Sequence, residues 1–350
     1  MNSTIHSLKV KDIITETPEA KTIIFHNPDP LKPYESGQFL TLTITIDGQS
    51  YKRSYSLCSA YGIDQDWAVT VKKIPGGKVS SFLVDHLKAG DVIESTSPMG
   101  VFTYNAVPPS TPVILIAGGS GITPLFSILK RALCESEQTP LLLIYANKDE
   151  NSVIFKNKLN EYSILYKHRL QIIHCYSQPI NSQYPHQGRL TKDKIIRLIK
   201  QSIIQNPSNA LAYVCGPTGL MAEAIQALKE LNLNIENIKK ENFSSAAAST
   251  QTQTQSAEQN GFTVTVLYKK NEYKIFVPPN KTILEAALDN SIDLPYSCQS
   301  GMCTACMGKC TSGSVHMHEP EGLSEKEIKQ GYVLTCVGKP TTPDVIIDLN

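Results

Sequence analysis

The sequence carries almost no net charge, since 33 Lys and Arg face 32 Asp and Glu, a formal charge of +1. This balance argues against nucleic acid or an anionic membrane surface as the main partner. The longest apolar runs, such as 113–117 and 141–146, are far too short to span a bilayer. The chain also begins without the basic-then-apolar order of a secretory signal. These absences predict a cytoplasmic protein that binds neither nucleic acid nor membrane.

Several chemical signatures are missing as well. Nine cysteines, an odd count, do not suit a framework of paired disulfides and fit a reducing compartment. There is no G-x-G-x-x-G fingerprint of a true Rossmann domain, and no histidine or carboxylate motif for general acid–base catalysis. With 41% hydrophobic and 19% charged residues, the composition is that of a globular chain with room for two or three domains.

Cysteines near the end of the chain carry the strongest positive signal. Three form a C-x4-C-x2-C run and a fourth lies further along. The four are Cys298, Cys303, Cys306 and Cys336. This is the spacing of plant-type ferredoxins, in which four thiolates hold two bridged irons. Small neighbours such as Gly301 suit a tight loop whose N–H groups point at sulfide. The pattern predicts a [2Fe–2S] cluster.

Other metal sites compete for the same cysteines. Structural zinc also takes four, but usually as paired C-x2-C halves, and only one half has that spacing here. Cys310 extends the run to C-x2-C-x3-C, as in four-iron ferredoxins, yet Ser300 stands where that motif needs its first cysteine. No histidine replaces a ligand as in a Rieske centre. Cys310 is interpreted as an inert extra cysteine.

Composition divides the chain into three predicted domains and a linker. Segment 244–260 contains no Ile, Leu, Val or aromatic residue, so it has nothing to bury and is predicted to be flexible. Residues 1–108 form short strands broken by Pro, Gly, Asn and Asp, which predicts an antiparallel β-barrel. In residues 109–243, apolar strands alternate with glycine loops and helices, which predicts a doubly wound α/β domain. Residues 261–350 predict a small α+β domain of the β-grasp kind.

Individual elements are expected within each domain. The barrel strands are expected near 21–25, 39–46, 53–58, 68–73 and 91–94. The α/β domain has expected strands at 113–117, 141–145, 170–175 and 212–215 and helices at 124–133, 192–200 and 219–231. The last domain has expected strands at 263–268, 273–277 and 344–348 and a helix at 282–290.

A flavin site is predicted at the end of a barrel strand. Arg53 offers a fork of N–H donors to a pyrophosphate. In the same run, the Tyr55 ring could pack on a face of the isoalloxazine. Ser56 could bond the ring edge or the ribityl chain and is a candidate for the reaction centre, and Ser54 is a further candidate contact. Phe243 is a candidate to cover the other ring face, with a core position as the alternative. The tetrapeptide alone is more often part of an ordinary strand.

A glycine turn some twenty residues later strengthens the flavin prediction. Gly77 frees the backbone, and Ser80 is expected to cap the helix that follows. The N–H groups at its start, including those of Lys78 and Val79, would then face a phosphate. A plain turn and helix cap without a ligand is the alternative.

A strand, a glycine loop and a helix start, in that order, predict a dinucleotide site. The loop consists of Gly118, Gly119, Ser120 and Gly121. Thr123 is the expected N-cap and Pro124 the first helical residue, so that the helix N-terminus faces a pyrophosphate.

A second loop follows the last apolar strand, at the end of the sheet where α/β domains bind ligands. Its residues are Cys215, Gly216 and Pro217. Cys215 is a candidate for the contact between nicotinamide and flavin, and an ordinary buried cysteine is the alternative. Lys148 and Arg189 are the cations available for a 2′-phosphate, so the choice between NADH and NADPH stays open.

The order of these motifs resembles the ferredoxin–NADP reductase-like oxidoreductases that carry a C-terminal plant-type ferredoxin, and within them the reductases of phenylacetyl-CoA epoxidase systems. The matching segments are 53–59, 71–77, 97–102, 119–124, 215–217 and 331–336. The resemblance spans the chain except the linker and implies FAD, NAD(P)H and one [2Fe–2S] cluster, with Val71 and Lys72 among the cofactor contacts. It also implies a separate oxygenase partner, phenylacetyl-CoA epoxidase-like or ring-hydroxylating. Where relatives often have Ser-Arg-Glu, this chain has Ser-Gln-Pro at 177–179, which leaves NADPH preference open.

These cofactors predict an electron-transfer reductase. Nicotinamide gives two electrons as hydride and the cluster takes one at a time, so a flavin must lie between them. Two alternatives remain open at this point: a stand-alone NAD(P)H diaphorase with a small acceptor, and a non-catalytic module that senses redox state or is stabilised by zinc.

Overall fold

The computed structural model describes residues 5–28, 33–104, 106–241, 243, 261–290, 292, 294–296, 301, 304–318, 320 and 322–349. The chain forms two compact units, Met1–Phe243 and Ser244–Asn350. Among the described residues, no helix has both the length and the apolar character needed to cross a membrane. The predicted linker, 244–260, lies outside the described residues, and the domain boundaries at 108 and 243 stay predictions.

The first part of unit 1 is an antiparallel sheet of six strands. They are β1 (Ile5–Thr17), β2 (Ala20–Phe25), β3 (Phe39–Ile46), β4 (Gln49–Ser56), β5 (Trp67–Lys72) and β6 (Val92–Thr96), with helix α1 (Lys78–Asp85) after β5. Their order is β4-β3-β6-β1-β2-β5. A bridge between Leu57 and Val69 joins the end of β4 to β5, so the two outer strands meet. The predicted flavin-type barrel is confirmed.

The barrel core follows from strand alternation. In β1, Leu8 and Val10 are buried while Lys9 and Lys11 beside them are exposed, so one face of the strand packs inward. Trp67 is also buried in this core. Sequence reasoning did not identify β1, because its polar residues hide the alternation.

The second part of unit 1 is a parallel sheet flanked by helices. The strands are β7 (Val113–Gly118), β8 (Leu141–Asn147), β9 (Leu170–Tyr176), β10 (Leu211–Cys215) and β11 (Ile238–Glu241), and the helices are α2 (Ile122–Glu135), α3 (Lys156–Leu165), α4 (Lys192–Lys200) and α5 (Thr218–Glu230). The order is β11-β10-β7-β8-β9. Strand order therefore reverses between β7 and β10, which is the point where such sheets bind ligands. The doubly wound α/β prediction is confirmed, although α3 and β11 were not foreseen.

Barrel and parallel sheet pack against each other within unit 1. The Tyr213 hydroxyl donates to the Thr103 carbonyl at 3.0 Å, and the Ser127 hydroxyl donates to the Ser59 carbonyl at 2.6 Å. Both hydroxyl groups are buried, so these bonds are shielded from water. They join the segments that follow β4 and β6 to helix α2 and strand β10.

Unit 2 is an α+β fold. Its elements are β12 (Phe262–Tyr268), β13 (Asn271–Val277), α6 (Ile283–Asp289), β14 (Met307–Ser312), β15 (Val315–Met317), α7 (Glu325–Lys329), β16 (Tyr332–Leu334), β17 (Gly338–Pro340) and β18 (Ile346–Asp348). The main sheet has the order β13-β12-β18-β14-β16, with β12 and β18 parallel. Thr282 and Glu285 form a capping box that starts α6, whose apolar face covers the sheet. The predicted ferredoxin-type fold is confirmed.

Candidate functional site

Two glycine loops meet where the strand order reverses. A side chain on Gly118 would approach Pro217 to 2.7 Å, and one on Gly121 would approach the Cys215 carbonyl oxygen to 2.2 Å. The loops thus pack backbone against backbone, which only glycine allows. On the open side, Gly119 has a φ of +53°, and a β-carbon at this residue would have nothing within 4 Å. The loops leave room for a ligand next to Gly119.

Helix α2 begins earlier than predicted. Its N-cap is Gly121, so Thr123 and Pro124 lie inside the first turn and the expected cap at Thr123 is wrong. The reason is a 3-10 turn over Gly119–Gly121 that already places the chain in helical geometry. The Thr123 hydroxyl donates instead to the Ser120 carbonyl at 3.0 Å. Gly121 has no side chain to accept the first N–H groups, which suits an anion.

Asn147, at the carboxyl end of β8, points to a bound polar ligand. Its side chain is buried, with 8% exposed. Within the described part of the chain neither amide atom has a partner in good hydrogen-bond geometry, although the Tyr145 hydroxyl lies close enough to interact with this side chain. Beside it, the Tyr145 hydroxyl donates to the Gly119 carbonyl at 3.0 Å. Buried amides are almost always hydrogen-bonded, so an unpaired one in a ligand crevice marks a contact. The residues present fit a dinucleotide.

The barrel and the sheet bring three buried polar side chains together. The Ser56 hydroxyl donates to a Glu241 carboxylate oxygen at 3.3 Å. Glu241 ends β11 and is the ladder partner of Cys215 at the end of β10. All three residues are buried. Burial, with the charge of Glu241 as a smaller contribution, raises the pKa of Cys215 well above the ordinary thiol value.

Sequence reasoning found Ser56 and Cys215 but missed Glu241. The available signal was an acidic residue at the end of a short strand, next to Phe243, but β11 itself was not predicted. Phe243 is 43% exposed and is therefore not a core residue. In the sequence it lies two residues beyond Glu241.

Strand β4 presents the remaining flavin candidates. The Ser54 and Thr41 hydroxyls lie 3.0 Å apart, whereas Arg53 is exposed and gives one N–H to the Lys52 carbonyl. Tyr55 is half-buried, and burial raises its pKa to about 12, with Arg53 as a smaller opposing cause. Because Arg53 is exposed and gives only one N–H to the Lys52 carbonyl, most of its guanidinium remains available to a phosphate.

The glycine turn and helix start at 77–80, the second predicted flavin segment, differ in one detail from the prediction. Gly77 is the N-cap of α1, and Ser80 lies in its first turn, so Ser80 does not cap the helix. Its hydroxyl accepts the Ile74 N–H at 3.1 Å and donates to the Gly77 carbonyl at 3.3 Å. This bonding fixes the glycine turn and leaves the N-terminus of α1 without a side-chain cap. Such an end suits a phosphate.

The other flavin-segment residues differ in exposure. Val71 and Val79 are buried in the barrel core, so a cofactor would meet only their backbone. Lys78 is exposed, and its ammonium lies 2.9 Å from the Tyr51 hydroxyl. Lys72 is partly exposed, with its ammonium 3.9 Å from Glu19.

Two of the four predicted cluster ligands lie among the described residues. Cys306 and Cys336 are buried, with 1% and 5% exposed. The N–H and the hydroxyl of Thr335 both donate to the Cys306 carbonyl at 3.2 Å, which holds the two segments together. Cys298 and Cys303 lie outside the described residues. Two buried thiols on adjoining segments fit a thiolate ligand set.

Cys310 has a different setting. It lies on β14, where its thiol donates to the Ser312 carbonyl at 3.2 Å. Burial raises its pKa, so the thiol stays protonated at neutral pH. Its bonding supports the interpretation as an inert cysteine.

Three family models match the chain in sequence order. The oxidoreductase FAD-binding domain matches residues 7–104, the oxidoreductase NAD-binding domain 115–226, and the 2Fe-2S iron-sulfur cluster binding domain 268–341.

Curated relatives match over almost their whole length. One component of the 1,2-phenylacetyl-CoA epoxidase of Escherichia coli is 33% identical, covering 99% of this chain and 98% of the relative. The ferredoxin reductase component of the 3-ketosteroid-9-alpha-monooxygenase of Rhodococcus rhodochrous is also 33% identical, covering 97% and 96%. Among solved structures, phthalate dioxygenase reductase matches with a TM-score of 0.62 and 23% identity, covering 99% and 98%. This last likeness concerns the fold.

Proposed function

Because this chain belongs to the family of oxygenase reductase components with FAD-, NAD- and [2Fe–2S]-binding domains, we propose that it passes electrons from NAD(P)H to a separate oxygenase component. It is an NAD(P)H-dependent oxidoreductase. When bound, FAD accepts a pair of electrons and the cluster carries them onward singly. The chain's own residues hold these groups, orient them and keep water away.

The observation that carries the proposal is the buried contact between Ser56 and Glu241 beside Cys215. It joins the barrel, where FAD would lie, to the carboxyl end of the sheet, where nicotinamide would lie. Glu241 fixes the Ser56 hydroxyl at the meeting point, and the neutral Cys215 thiol lines it. Burial of all three would exclude water from the place where nicotinamide and flavin would meet.

The residues proposed to hold FAD come from β4 and α1. Arg53 would pair with the pyrophosphate, Tyr55 would pack on the ring, and Ser54 would support the strand. The N–H groups at the start of α1, over Gly77–Ser80, would bind phosphate. Phe243 would cover the second ring face, which its exposure supports.

The nucleotide and the cluster have proposed residues of their own. The loops 118–123 and 215–217 would hold the nucleotide pyrophosphate, and the Asn147 amide would bind a polar group of the nucleotide. The proposed cluster ligands are Cys298, Cys303, Cys306 and Cys336.

We infer that the electron acceptor is a cytoplasmic oxygenase. The relatives serve a phenylacetyl-CoA epoxidase and a ketosteroid monooxygenase at equal identity, so identity does not choose between these substrates. The near-zero net charge supports neither nucleic acid nor membrane as a partner.

The test is anaerobic reduction of purified protein by NADH and by NADPH. At least one nucleotide should bleach the flavin absorbance and then produce the electron paramagnetic resonance signal of a reduced [2Fe–2S] cluster. Cys298→Ser should abolish the cluster signal while flavin bleaching persists, and the matched variant Cys310→Ser should retain both. One zinc per chain without inorganic sulfide, or no flavin, would overturn the proposal.

A further inference from the structure

The sheet has two sides with different roles at its carboxyl edge. Ser56, Cys215 and Glu241 lie on the β10–β11 side, where flavin and nicotinamide would meet. The pyrophosphate loops lie in the middle, between β7 and β10. A dinucleotide that crosses this edge must therefore extend its adenosine half over β8 and β9.

Two loops run side by side at that end. The Ser177 N–H donates to the Asn147 carbonyl at 3.0 Å, and the Gln178 N–H donates to the Lys148 carbonyl at 2.8 Å. The buried Asn147 side chain belongs to the first of these loops, and among the described residues its amide atoms have no partner in good hydrogen-bond geometry, which is a separate sign of a polar ligand here.

The Glu150 side chain crosses between these loops. One carboxylate oxygen accepts the Ile180 N–H at 2.8 Å and the other accepts the Asn181 N–H at 3.3 Å. These bonds hold the pKa of Glu150 below its ordinary value, the Ile180 bond most of all, so the group is ionised at neutral pH. The N–H of Glu150 itself also contributes to this carboxylate. A carboxylate has about four acceptor positions, so capacity remains for another donor such as a ribose hydroxyl.

The charged residues around this carboxylate balance one another. Residues 177–181 contain no Lys or Arg. Asp149 next to it is also ionised, because hydrogen bonds from Ser152 and its neighbours lower its pKa. Lys148 is the exposed cation nearby in sequence, and the Lys156 ammonium lies 3.1 Å from the Glu150 backbone carbonyl. Glu150 and Asp149 balance Lys148 and Lys156, so these four groups give no net positive charge for a phosphate. Arg189, the other cation considered for a 2′-phosphate, is exposed further along the segment after β9.

We propose that the protein prefers NADH to NADPH, because Glu150, braced by the N–H groups of Ile180 and Asn181, accepts from a ribose hydroxyl and repels a 2′-phosphate. This inference rests on the proposed function. The 2′-phosphate adds nearly two negative charges, and like charges set against each other in a binding site lower affinity.

The test compares ligands that differ only in the 2′-phosphate. Calorimetry on the full-length holoprotein should show 5′-AMP binding about tenfold or more tightly than adenosine 2′,5′-bisphosphate. Steady-state kcat/KM should favour NADH over NADPH in the same direction. Glu150→Gln keeps an oxygen for the Ile180 N–H and should bring both ratios to within about threefold of unity. Adding Gln178→Arg to it should favour the 2′-phosphate.

Glu137→Gln is the matched control, since this exposed carboxylate precedes β8 at the opposite edge of the sheet. This variant should leave unchanged both the affinity ratio of 5′-AMP to adenosine 2′,5′-bisphosphate and the kcat/KM ratio of NADH to NADPH. Equal binding of the two adenosine ligands by the native protein, or an unchanged ratio in Glu150→Gln, would overturn the NADH preference. These outcomes are distinct from failure of the proposed function, in which neither NADH nor NADPH would bleach the flavin.

Discussion

Ser56 and Glu241 are 185 positions apart in the chain, yet one hydrogen bond joins them in the interior of unit 1. A buried carboxylate depends on its donors, because each lost donor leaves desolvation uncompensated. The bond therefore both stabilises the contact between barrel and sheet and holds the hydroxyl at the proposed reaction centre.

Ser56→Ala removes this donor from a carboxylate that is only 5% exposed. The free energy of unfolding should fall by about 1–3 kcal/mol. Flavin reduction by NAD(P)H should slow by up to about 100-fold, since a positioning contact would be lost where nicotinamide and flavin would meet. Stopped-flow absorbance and chemical unfolding measure the two effects. Ser50→Ala, at an exposed position near the start of the same strand, is the control, and a Ser56→Ala variant as fast as it would contradict the assigned role.

At the scale of elements, the site depends on two loops that touch through glycine. The first residues of α2 and the loop after β10 share a space too small for any β-carbon at Gly121. This explains why the helix begins at Ile122 with a glycine N-cap.

Gly121→Ala should lower the free energy of unfolding by about 1–3 kcal/mol, because the new methyl group would meet the Cys215 carbonyl oxygen. It should also weaken nucleotide binding, since the loop must shift. Gly219→Ala in α5 is the matched control: nothing lies within 4 Å, and alanine in a helix should stabilise by up to about 1 kcal/mol. Thermal unfolding of the two holoprotein variants measures both effects. Equal losses of stability would contradict the steric clash expected at Gly121.

At the scale of the whole molecule, the chain has two compact units, and each has its own core. Unit 1 contains every proposed flavin and nucleotide residue, while unit 2 contains every proposed cluster ligand. Electrons must therefore pass from one unit to the other.

Cleavage between residues 243 and 261 should leave the first fragment with a flavin that NAD(P)H still reduces, because its core and site are complete. Cytochrome c reduction by that fragment should fall by about tenfold or more, since single-electron delivery depends on the cluster. Removal of iron from the uncut chain should have the same effect. Absorbance assays with ferricyanide and cytochrome c make the comparison, and unchanged cytochrome c reduction would show that electrons leave directly from the flavin.

The sequence alone determined the features that depend on spacing and local pattern: the cysteine run, the apolar parallel strands, and the glycine loops at strand ends. Local chemistry suffices for these because ligand spacing and helix or strand periodicity are properties of short segments. The caps expected at Thr123 and Ser80 were wrong, since each helix begins earlier, at a glycine N-cap.

Only the tertiary structure decided how distant residues meet. Glu241 joined Ser56 and Cys215 because three separate strands end at one place, which no short segment encodes. The position of Glu150 against the N–H groups of 180 and 181 likewise follows from two loops placed side by side by neighbouring parallel strands. Contacts of this kind depend on strand order in the sheet, and strand order is a property of the whole folded chain.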